Sequence, residues 1–195
     1  MTEAAGSPAM LIAQLASADP SARQSAATAL YHSGRAFAEP AMDHWRSDPE
    51  FAALQIGSAT VGVAVAPETF ETVRAANGSP RPADVPPDQD AKEFELHFEG
   101  GIALDILTTK APGGGGAIAR FLEKFGEGIQ QVEYPVRDVD HATQILRARL
   151  GQQPIYPRTR PGADGTRVNF FLAATPTGTK VLIELVETPP KAERW

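Results

Sequence analysis

The stretch that decides the fold is GEGIQQVEYPVRDVDHATQILRARLG at residues 126–151, followed after a basic loop by RVNFFLAATPTGTKVLIELVE at residues 167–187. Apolar runs of strand length stand on either side of a segment whose apolar residues recur with a helical period. The patterns predict a strand, a helix and two further strands, at residues 129–136, 139–150, 167–173 and 180–187. This part of the chain therefore has the order β-α-β-β.

Three polar residues interrupt the apolar strands of this stretch. They are Gln131, Glu133 and Glu184. Glu184 stands in the middle of the run Val-Leu-Ile-Glu-Leu-Val. A carboxylate in such a strand must be solvated, paired or bound to a partner, because an uncompensated buried charge is costly. These side chains are the first indication of a functional site.

Length and composition restrict the class of protein. The 195 residues are 42% apolar and 22% charged, which suits one folded core with an extension. The net charge of −6 disfavours nonspecific nucleic-acid binding, and with 0 cysteines there is no disulfide, thiolate metal site or Cys nucleophile. No Lys or Arg precedes the short apolar run at residues 9–13, and no run reaches membrane-spanning length. We expect a cytoplasmic protein that binds neither nucleic acid nor membrane.

Residues 7–54 predict a helical arm. Its predicted helix starts are Ser7-Pro8, Asp19-Pro20, Glu39-Pro40 and Asp48-Pro49, and its predicted internal stop is Ser33-Gly34. The run DPSARQSAATAL is similar to the first helix of a HEAT-type repeat, but a single such unit cannot bury its own core. Two interpretations remain. Either the arm packs Leu30, Phe37 and Trp45 on the domain or on a second subunit, or it is a peptide-binding repeat.

A second strand-rich segment follows the arm. It contains a predicted strand at residues 59–65, a helix from Pro67 to Asn77, and a hairpin of strands 94–98 and 102–107 around Gly100-Gly101. The intervening SPRPADVPPDQD, residues 79–90, is too rich in Pro and Asp for regular structure. We expect this loop to be poorly ordered or to cover the mouth of a cleft.

None of the four histidines is predicted to bind a metal. A two-residue turn in the hairpin would pair Leu96 with Asp105 and put His97 on the face opposite Asp105. The other histidines lie on the helical arm, at His32 and His44, or on the polar face of the second helix, at His141. We interpret all of them as surface or hydrogen-bonded structural residues.

An internal repeat relates the two halves. The strand-helix-hairpin pattern of residues 60–107 recurs at residues 131–186. The correspondence places Thr60 opposite Gln131 and Asp105 opposite Glu184. Strand alternation puts the polar residues on one face of each unit and the valines on the other. The polar faces converge if the two halves form one curved sheet, and the small residues Gly62 and Ala64 leave room there for a ligand.

This arrangement resembles the vicinal oxygen chelate superfamily, which includes glyoxalase I, bleomycin resistance proteins and extradiol dioxygenases. The pattern is similar to the methylmalonyl-CoA epimerase family within it. The matching text is IARFLEKFGEGIQQVEYPVRDVD, PRTRPGADGTRVNFF and VLIELVE. The resemblance implies an α+β fold in which two βαβββ modules, within residues 58–188, form a half-open barrel around a divalent metal. An N-terminal helical extension (residues 1–57), a C-terminal tail (residues 189–195) and a homodimer complete the expected organisation.

The resemblance also implies a set of metal-ligand positions. Carried over to this chain, they are Thr60, Asp105, Gln131 and Glu184. The family usually has His where Thr60 and Gln131 stand, so the donors here are oxygen atoms only. Such a set disfavours zinc and suits Mg²⁺, Mn²⁺ or Ca²⁺, and Co²⁺ less well. Two alternatives remain: a metal held by Asp105, Gln131 and Glu184, or a cleft that has lost its metal.

The resemblance implies an isomerase, epimerase or lyase of the glyoxalase type that moves a proton next to a carbonyl of a small carbonyl or carboxylate compound. Glu133 and Glu184 are then the candidate catalytic carboxylates, and Gln131 is a candidate substrate contact. The basic loop contributes Arg158, Arg160 and Arg167, which either are solvated or grip a phosphate or carboxylate of the ligand. The alternative function is metal-free binding of a small molecule, as in bleomycin resistance proteins. A scaffold that uses the helical arm is a third class.

Overall fold

A computed structural model describes residues 7–174 and 180–189 of the chain. The helices are α1 (Pro8–Gln14), α2 (Pro20–Arg46), α3 (Pro49–Leu54), α4 (Pro67–Ala76), α5 (Ala117–Phe125) and α6 (Val139–Arg149). The strands are β1 (Thr60–Ala64), β2 (Lys92–Phe98), β3 (Ile102–Thr108), β4 (Gly128–Pro135), β5 (Arg160–Pro161), β6 (Arg167–Ala174) and β7 (Lys180–Glu187). Residues 190–195 of the predicted tail lie outside the described residues.

The strands form one seven-stranded sheet in the order β2-β3-β1-β4-β7-β6-β5. Each half has the same pattern, since β1 pairs in parallel with β3 and β4 pairs in parallel with β7. The two halves join through the antiparallel pair β1–β4. This curled half-barrel with helices confirms the predicted glyoxalase-like α+β fold. The first half has one strand fewer than a full βαβββ module, because residues 79–90 form an irregular segment in place of a strand.

The core lies between the helices and one face of the sheet. Alternate residues of the strands point into it, as the sequence pattern predicted for Val61, Val63 and Val65. Helix α2 crosses this face and contacts strands of both halves, namely β1, β3, β4, β6 and β7. Trp45 of α2 packs edge-to-face on Phe171 of β6, with ring centroids 5.4 Å apart. The helical arm therefore packs on the domain, which agrees with the first of the two interpretations of the sequence.

Helix α2 is continuous, and two predictions about it were wrong. We predicted a stop at Ser33-Gly34 and a new start at Glu39-Pro40, but the helix runs through both. Gly34 is buried against β1, where a Cβ atom would lie 2.5 Å from Cγ1 of Val61. The glycine therefore serves close packing of helix on strand rather than termination. The local preference of Pro40 against a helix interior is overridden by the packing of the residues on either side of it.

The predicted packing of Phe37 was also wrong. Leu30 and Trp45 are buried, whereas the Phe37 side chain is 51% exposed. The buried stripe of α2 runs along Gly34, Ala38 and Ala41 in this part of the helix, and Phe37 lies at its margin, where its large ring remains in solvent.

The register of the first hairpin differs from the prediction by one residue. Phe98 pairs with Ile102, so the loop has three residues, with Gly100 and Gly101 both at positive φ. Glu95 therefore pairs with Asp105, and His97 shares their face. The prediction that His97 lies opposite Asp105 was wrong, because a shift of one residue moves every side chain of a strand to the other face.

Among the described residues, no helix is both long enough and apolar enough to span a membrane.

Gly34→Ala should destabilise the fold, although alanine favours helices, because its methyl group would collide with Val61. We expect a loss of about 1–3 kcal/mol in the free energy of unfolding, measured by urea denaturation. Val61→Ala removes the colliding atoms, so the double variant should lose less than the sum of the two single variants. Additive effects of the two substitutions would contradict the close helix–strand contact.

Candidate functional site

The concave face of the sheet lines a cavity of about 1060 Å³. Its floor is built from polar residues that strand alternation directs away from the core. Cross-strand pairing aligns Asp105, Gly62 and Gln131 in one row. A second row aligns Thr60, Glu133 and Glu184. The candidate residues taken from the internal repeat thus lie on neighbouring strands.

Gln131 connects the carboxylates of the cleft. Its Nε2 donates a hydrogen bond to Oε2 of Glu184 at 2.6 Å and to Oε1 of Glu133 at 3.1 Å. Asp105 lies close enough to Glu133 to lower the pKa of that carboxyl group, against the larger effect of burial. Gln131, Asp105 and Glu184 are all buried. The structure therefore brings together the four central candidates of the sequence, with the amide as the donor shared by two carboxylates.

The space expected for a ligand beside β1 is occupied by protein atoms. A Cβ at Gly62 would lie 2.5 Å from Cγ of Gln131, so the glutamine side chain occupies the space that the glycine leaves free. Ala64 is covered by Leu107 and Ile118. The prediction that these two small residues leave room for a ligand was wrong, and the open part of the cleft lies over the carboxylates and β6.

Burial changes the protonation of the central carboxyl groups. It raises the pKa of Glu133 to about 8, and the charges of Glu93 and Glu95 act in the same direction. Burial, followed by the charge of Glu133, also raises the pKa values of Asp105 and Glu184 well above the usual range for carboxyl groups. In the described residues none of these three has a Lys, Arg or His partner within salt-bridge distance. The cluster therefore keeps protons that isolated carboxyl groups would lose.

Sequence reasoning missed Glu93 and Glu95 of β2. Both residues line the cavity. Burial, together with the nearby charges of Asp164 and Glu95, raises the pKa of Glu93 to about 7. The signal was present in KEFELHF, where Glu93, Glu95 and His97 alternate with apolar residues. The error of one residue in the hairpin register directed the acidic face of this strand away from the cleft.

The residues present do not fit a divalent metal. No three His, Cys, Asp or Glu side chains within residues 7–174 and 180–189 are arranged to hold one. The Nε2 group of Gln131 lies between the carboxylates of Glu184 and Glu133, and its hydrogens point at both. A cation cannot share that space with the amide hydrogens. Thr60 adds only a weak hydroxyl donor at this end of the cleft.

Only one of the three arginines predicted to bind substrate lines the cleft. Arg160 faces the cavity, pairs with Asp88 at 2.9 Å and stacks over the Tyr156 ring at 4.7 Å. Arg158 lies in a separate groove beside α6. Arg167 points to the helical side of the sheet and pairs with Asp140 and Glu187. For Arg158 and Arg167 the predicted contact with a ligand in the cleft was wrong, because alternation along β6 puts Arg167 on the core side.

The loop at residues 79–90 borders the cleft and is irregular, as predicted. It reaches from the β2 edge of the sheet to the segment that adjoins β5 at the opposite edge. Arg81 pairs with Asp164 at 2.8 Å, and Gln89 Nε2 donates to the Pro161 carbonyl at 2.9 Å. These contacts connect the two sides of the cleft mouth.

A half-barrel made of two related halves, with a cleft of polar side chains on its concave face, defines a glyoxalase-like protein of the vicinal oxygen chelate class. Comparison with solved structures narrows this class. Methylmalonyl-CoA epimerase from Mycobacterium tuberculosis is 32% identical over 71% of this chain and 91% of that chain, with a TM-score of 0.57. The chain belongs to the methylmalonyl-CoA epimerase family of the vicinal oxygen chelate superfamily.

Two further structures show the same likeness. A hypothetical protein from Bacillus halodurans is 25% identical over 71% of this chain and 100% of that chain, with a TM-score of 0.55. A variant of Streptomyces coelicolor methylmalonyl-CoA epimerase, in complex with 2-nitronate-propionyl-CoA, is 25% identical over 70% of this chain and 99% of that chain, with a TM-score of 0.53. Neither a protein-family model nor a curated protein matches the chain.

Replacing Glu133 should change how stability depends on pH. The folded-state pKa of about 8 exceeds the ordinary value of 4.5, so the carboxyl group costs the folded state increasing free energy as pH rises between these values. Gln cannot ionise. Relative to the parent, Glu133→Gln should therefore gain roughly 2–4 kcal/mol between pH 4.5 and pH 8, measured by urea denaturation. Glu123→Gln on the exposed side of α5 is the control, and a Glu133→Gln profile parallel to the parent's would contradict the assignment.

Metal titration tests the fit of the central residues. We expect calorimetry with Mg²⁺, Mn²⁺ or Co²⁺ to give no saturable heat, because the Gln131 amide lies between the carboxylates. Glu184→Gln should respond in the same way as the parent. A saturable heat with the parent that disappears in Glu184→Gln would instead establish Glu184 as a metal ligand.

Proposed function

We propose that this protein is an isomerase or epimerase of the glyoxalase type that moves a proton next to the carbonyl of a small carbonyl or carboxylate compound. The observation that carries the proposal is the pair Glu93 and Glu133. These carboxyl groups line one cavity, come from different halves of the sheet, and have pKa values of about 7 and 8. A general acid or base works best when its pKa lies near the operating pH.

The role of each residue follows from its position in the cleft. Glu133, at the centre of the floor, takes the proton from the carbon next to the carbonyl or returns it. Glu93, on the wall formed by the first half, supplies the second acid or base that inversion at a carbon requires. Glu184, whose pKa is raised by burial, donates a hydrogen bond to the oxygen on which negative charge develops, and the amide of Gln131 holds Glu184 and Glu133 in position. Arg160, at the cavity wall, contacts the remainder of the substrate.

The resident metal implied by the family has no role in this proposal. The donor set does not fit one, so the chain's own carboxyl groups provide the hydrogen bonds to the developing charge. Family membership supports the reaction class, because two of the solved relatives are methylmalonyl-CoA epimerases. It does not identify the substrate, because function resides in the site rather than in the fold.

The proposal predicts exchange of a carbon-bound proton with solvent. The purified protein should incorporate deuterium from D₂O next to the carbonyl of its substrate, with methylmalonyl-CoA and small uncharged carbonyl compounds as the first probes. Glu133→Gln should lower the exchange rate by about 10²–10⁴-fold, as loss of a general acid or base does. Glu123→Gln should keep the parental rate. Full exchange by a folded Glu133→Gln variant would remove Glu133 from the reaction.

A second candidate function is metal-free binding of a small molecule, of the bleomycin-resistance type. It is favoured by the apolar side chains that the cleft leaves open, among them Ile155, which is 50% exposed. Ligand-induced stabilisation without any proton exchange in the parent protein would support this function over the first.

A further inference from the structure

The walls of the cleft differ in chemistry. One wall and the floor carry the carboxyl groups of Glu93, Asp105, Glu133 and Glu184. Burial raises the pKa of all four groups, and the charge of Glu93 raises the pKa values of Asp105, Glu133 and Glu184 further. Within the described part of the chain, none has a cationic side chain within 4.0 Å. A further negative charge placed on this floor would be desolvated among carboxyl groups without a compensating cation.

The cations of the cavity are already engaged by protein groups. Three guanidinium groups line it, those of Arg81, Arg120 and Arg160. Arg81 pairs with Asp164 at 2.8 Å and Arg160 pairs with Asp88 at 2.9 Å. Arg120 donates to the carbonyl of Gly115. An anionic ligand would have to displace an acidic partner to pair with Arg81 or Arg160, whereas Arg120 is bonded to a neutral carbonyl group.

The opposite wall is apolar and open. It is formed by Ile155 and Tyr156 before β5, by Phe170 of β6 and by Leu182 of β7. The Tyr156 and Phe170 rings meet edge-to-face with centroids 6.0 Å apart, and half of the Ile155 side chain is exposed. Apolar side chains left open inside a cavity are typical of a surface that an apolar ligand covers.

We infer that the cleft takes an uncharged carbonyl compound with an aromatic or bulky apolar substituent, and that it discriminates against carboxylated and phosphorylated forms of such a compound. This inference rests on the proposed function and narrows its substrate class. The carbonyl oxygen lies at the floor, where protonated carboxyl groups donate hydrogen bonds to it. The substituent lies against Tyr156 and Phe170.

The inferred ligand of this protein differs in charge from the ligand of its solved relatives. Methylmalonyl-CoA carries a carboxylate beside the reacting carbon and phosphates at the other end of the molecule. In this cleft that carboxylate would meet the carboxyl groups of Glu133 and Glu184, with no cation between them. We therefore expect a substrate that differs in charge from methylmalonyl-CoA, although the chain belongs to the epimerase family.

The test compares two probes that differ in charge and by one methyl group. Phenylpyruvate is an anion near neutral pH, and its methyl ester is uncharged. At pH 8 the ester should bind the full-length protein at least about tenfold more tightly by calorimetry, since repulsion of one charge by a desolvated carboxylate exceeds about 1.4 kcal/mol. At pH 6 the ratio of dissociation constants should shrink, because the carboxyl groups with raised pKa values are then largely protonated.

Variants at three positions test which wall of the cleft causes the discrimination. Glu93→Gln should narrow the ratio at pH 8 mainly by improving the binding of phenylpyruvate. Phe170→Ala should weaken binding of the ester about tenfold or more, and Phe170→Leu, which keeps an apolar side chain and protects the fold, should weaken it less. Phe125→Ala, at an exposed position that does not line the cavity, should leave both dissociation constants unchanged.

The outcomes distinguish this inference from the proposed function. Tighter or equal binding of phenylpyruvate, or tight binding of methylmalonyl-CoA, overturns the inference. So does a preference for the ester that Glu93→Gln leaves unaltered. Deuterium exchange into methylmalonyl-CoA would overturn the inference while supporting the proposed function. Preferred binding of the ester without deuterium exchange would support the inferred ligand class and count against catalysis.

Discussion

The antiparallel pairing of β1 with β4 is the constraint on which the cleft depends. Within residues 7–174 and 180–189 it is the sole pairing between strands of the two halves, and its register decides which side chains meet on the concave face. Gly62 pairs with Gln131, and the register shifts after this pair. The absence of a side chain at Gly62 makes room for the Gln131 side chain, whose amide donates to the carboxyl groups of β4 and β7. A residue of any other type would force the glutamine away and separate the two rows of polar groups.

The fold tolerates the acidic floor of the cleft because protonation reduces its negative charge, not because cationic side chains neutralise it. Buried carboxylates usually need a cation, and the described residues offer none at Asp105, Glu133 or Glu184. Protonation and the shared amide donor satisfy these groups instead. The same arrangement that lowers the cost of burial supplies acids whose proton affinity suits neutral pH. Fold stability and the proposed chemistry therefore draw on one feature, the removal of water from a cluster of like groups.

Much of this architecture follows from the sequence, for reasons that differ between elements. The second half was predictable because its strands and its helix have clear periods, and because Glu184 stands out in an apolar run. The internal repeat then placed Asp105 and Gln131 beside it. The hairpin register was not predictable, since Gly-Gly fits loops of two or three residues and one residue decides which face holds Glu93. Gly34 and Pro40 misled because tertiary packing of α2 outweighs local helix signals.

The position of α2 has a consequence for how the chain behaves as a unit. The repeat suggests two interchangeable pieces, yet the helix buries one continuous apolar surface contributed by strands of both. Neither piece can complete a core on its own, and neither can rotate against the other without uncovering Trp45 or Leu30. The two pieces therefore unfold together, in one cooperative transition. The extension sets the minimal folding unit, which is larger than the repeated pattern and larger than the part of the chain that its solved relatives share.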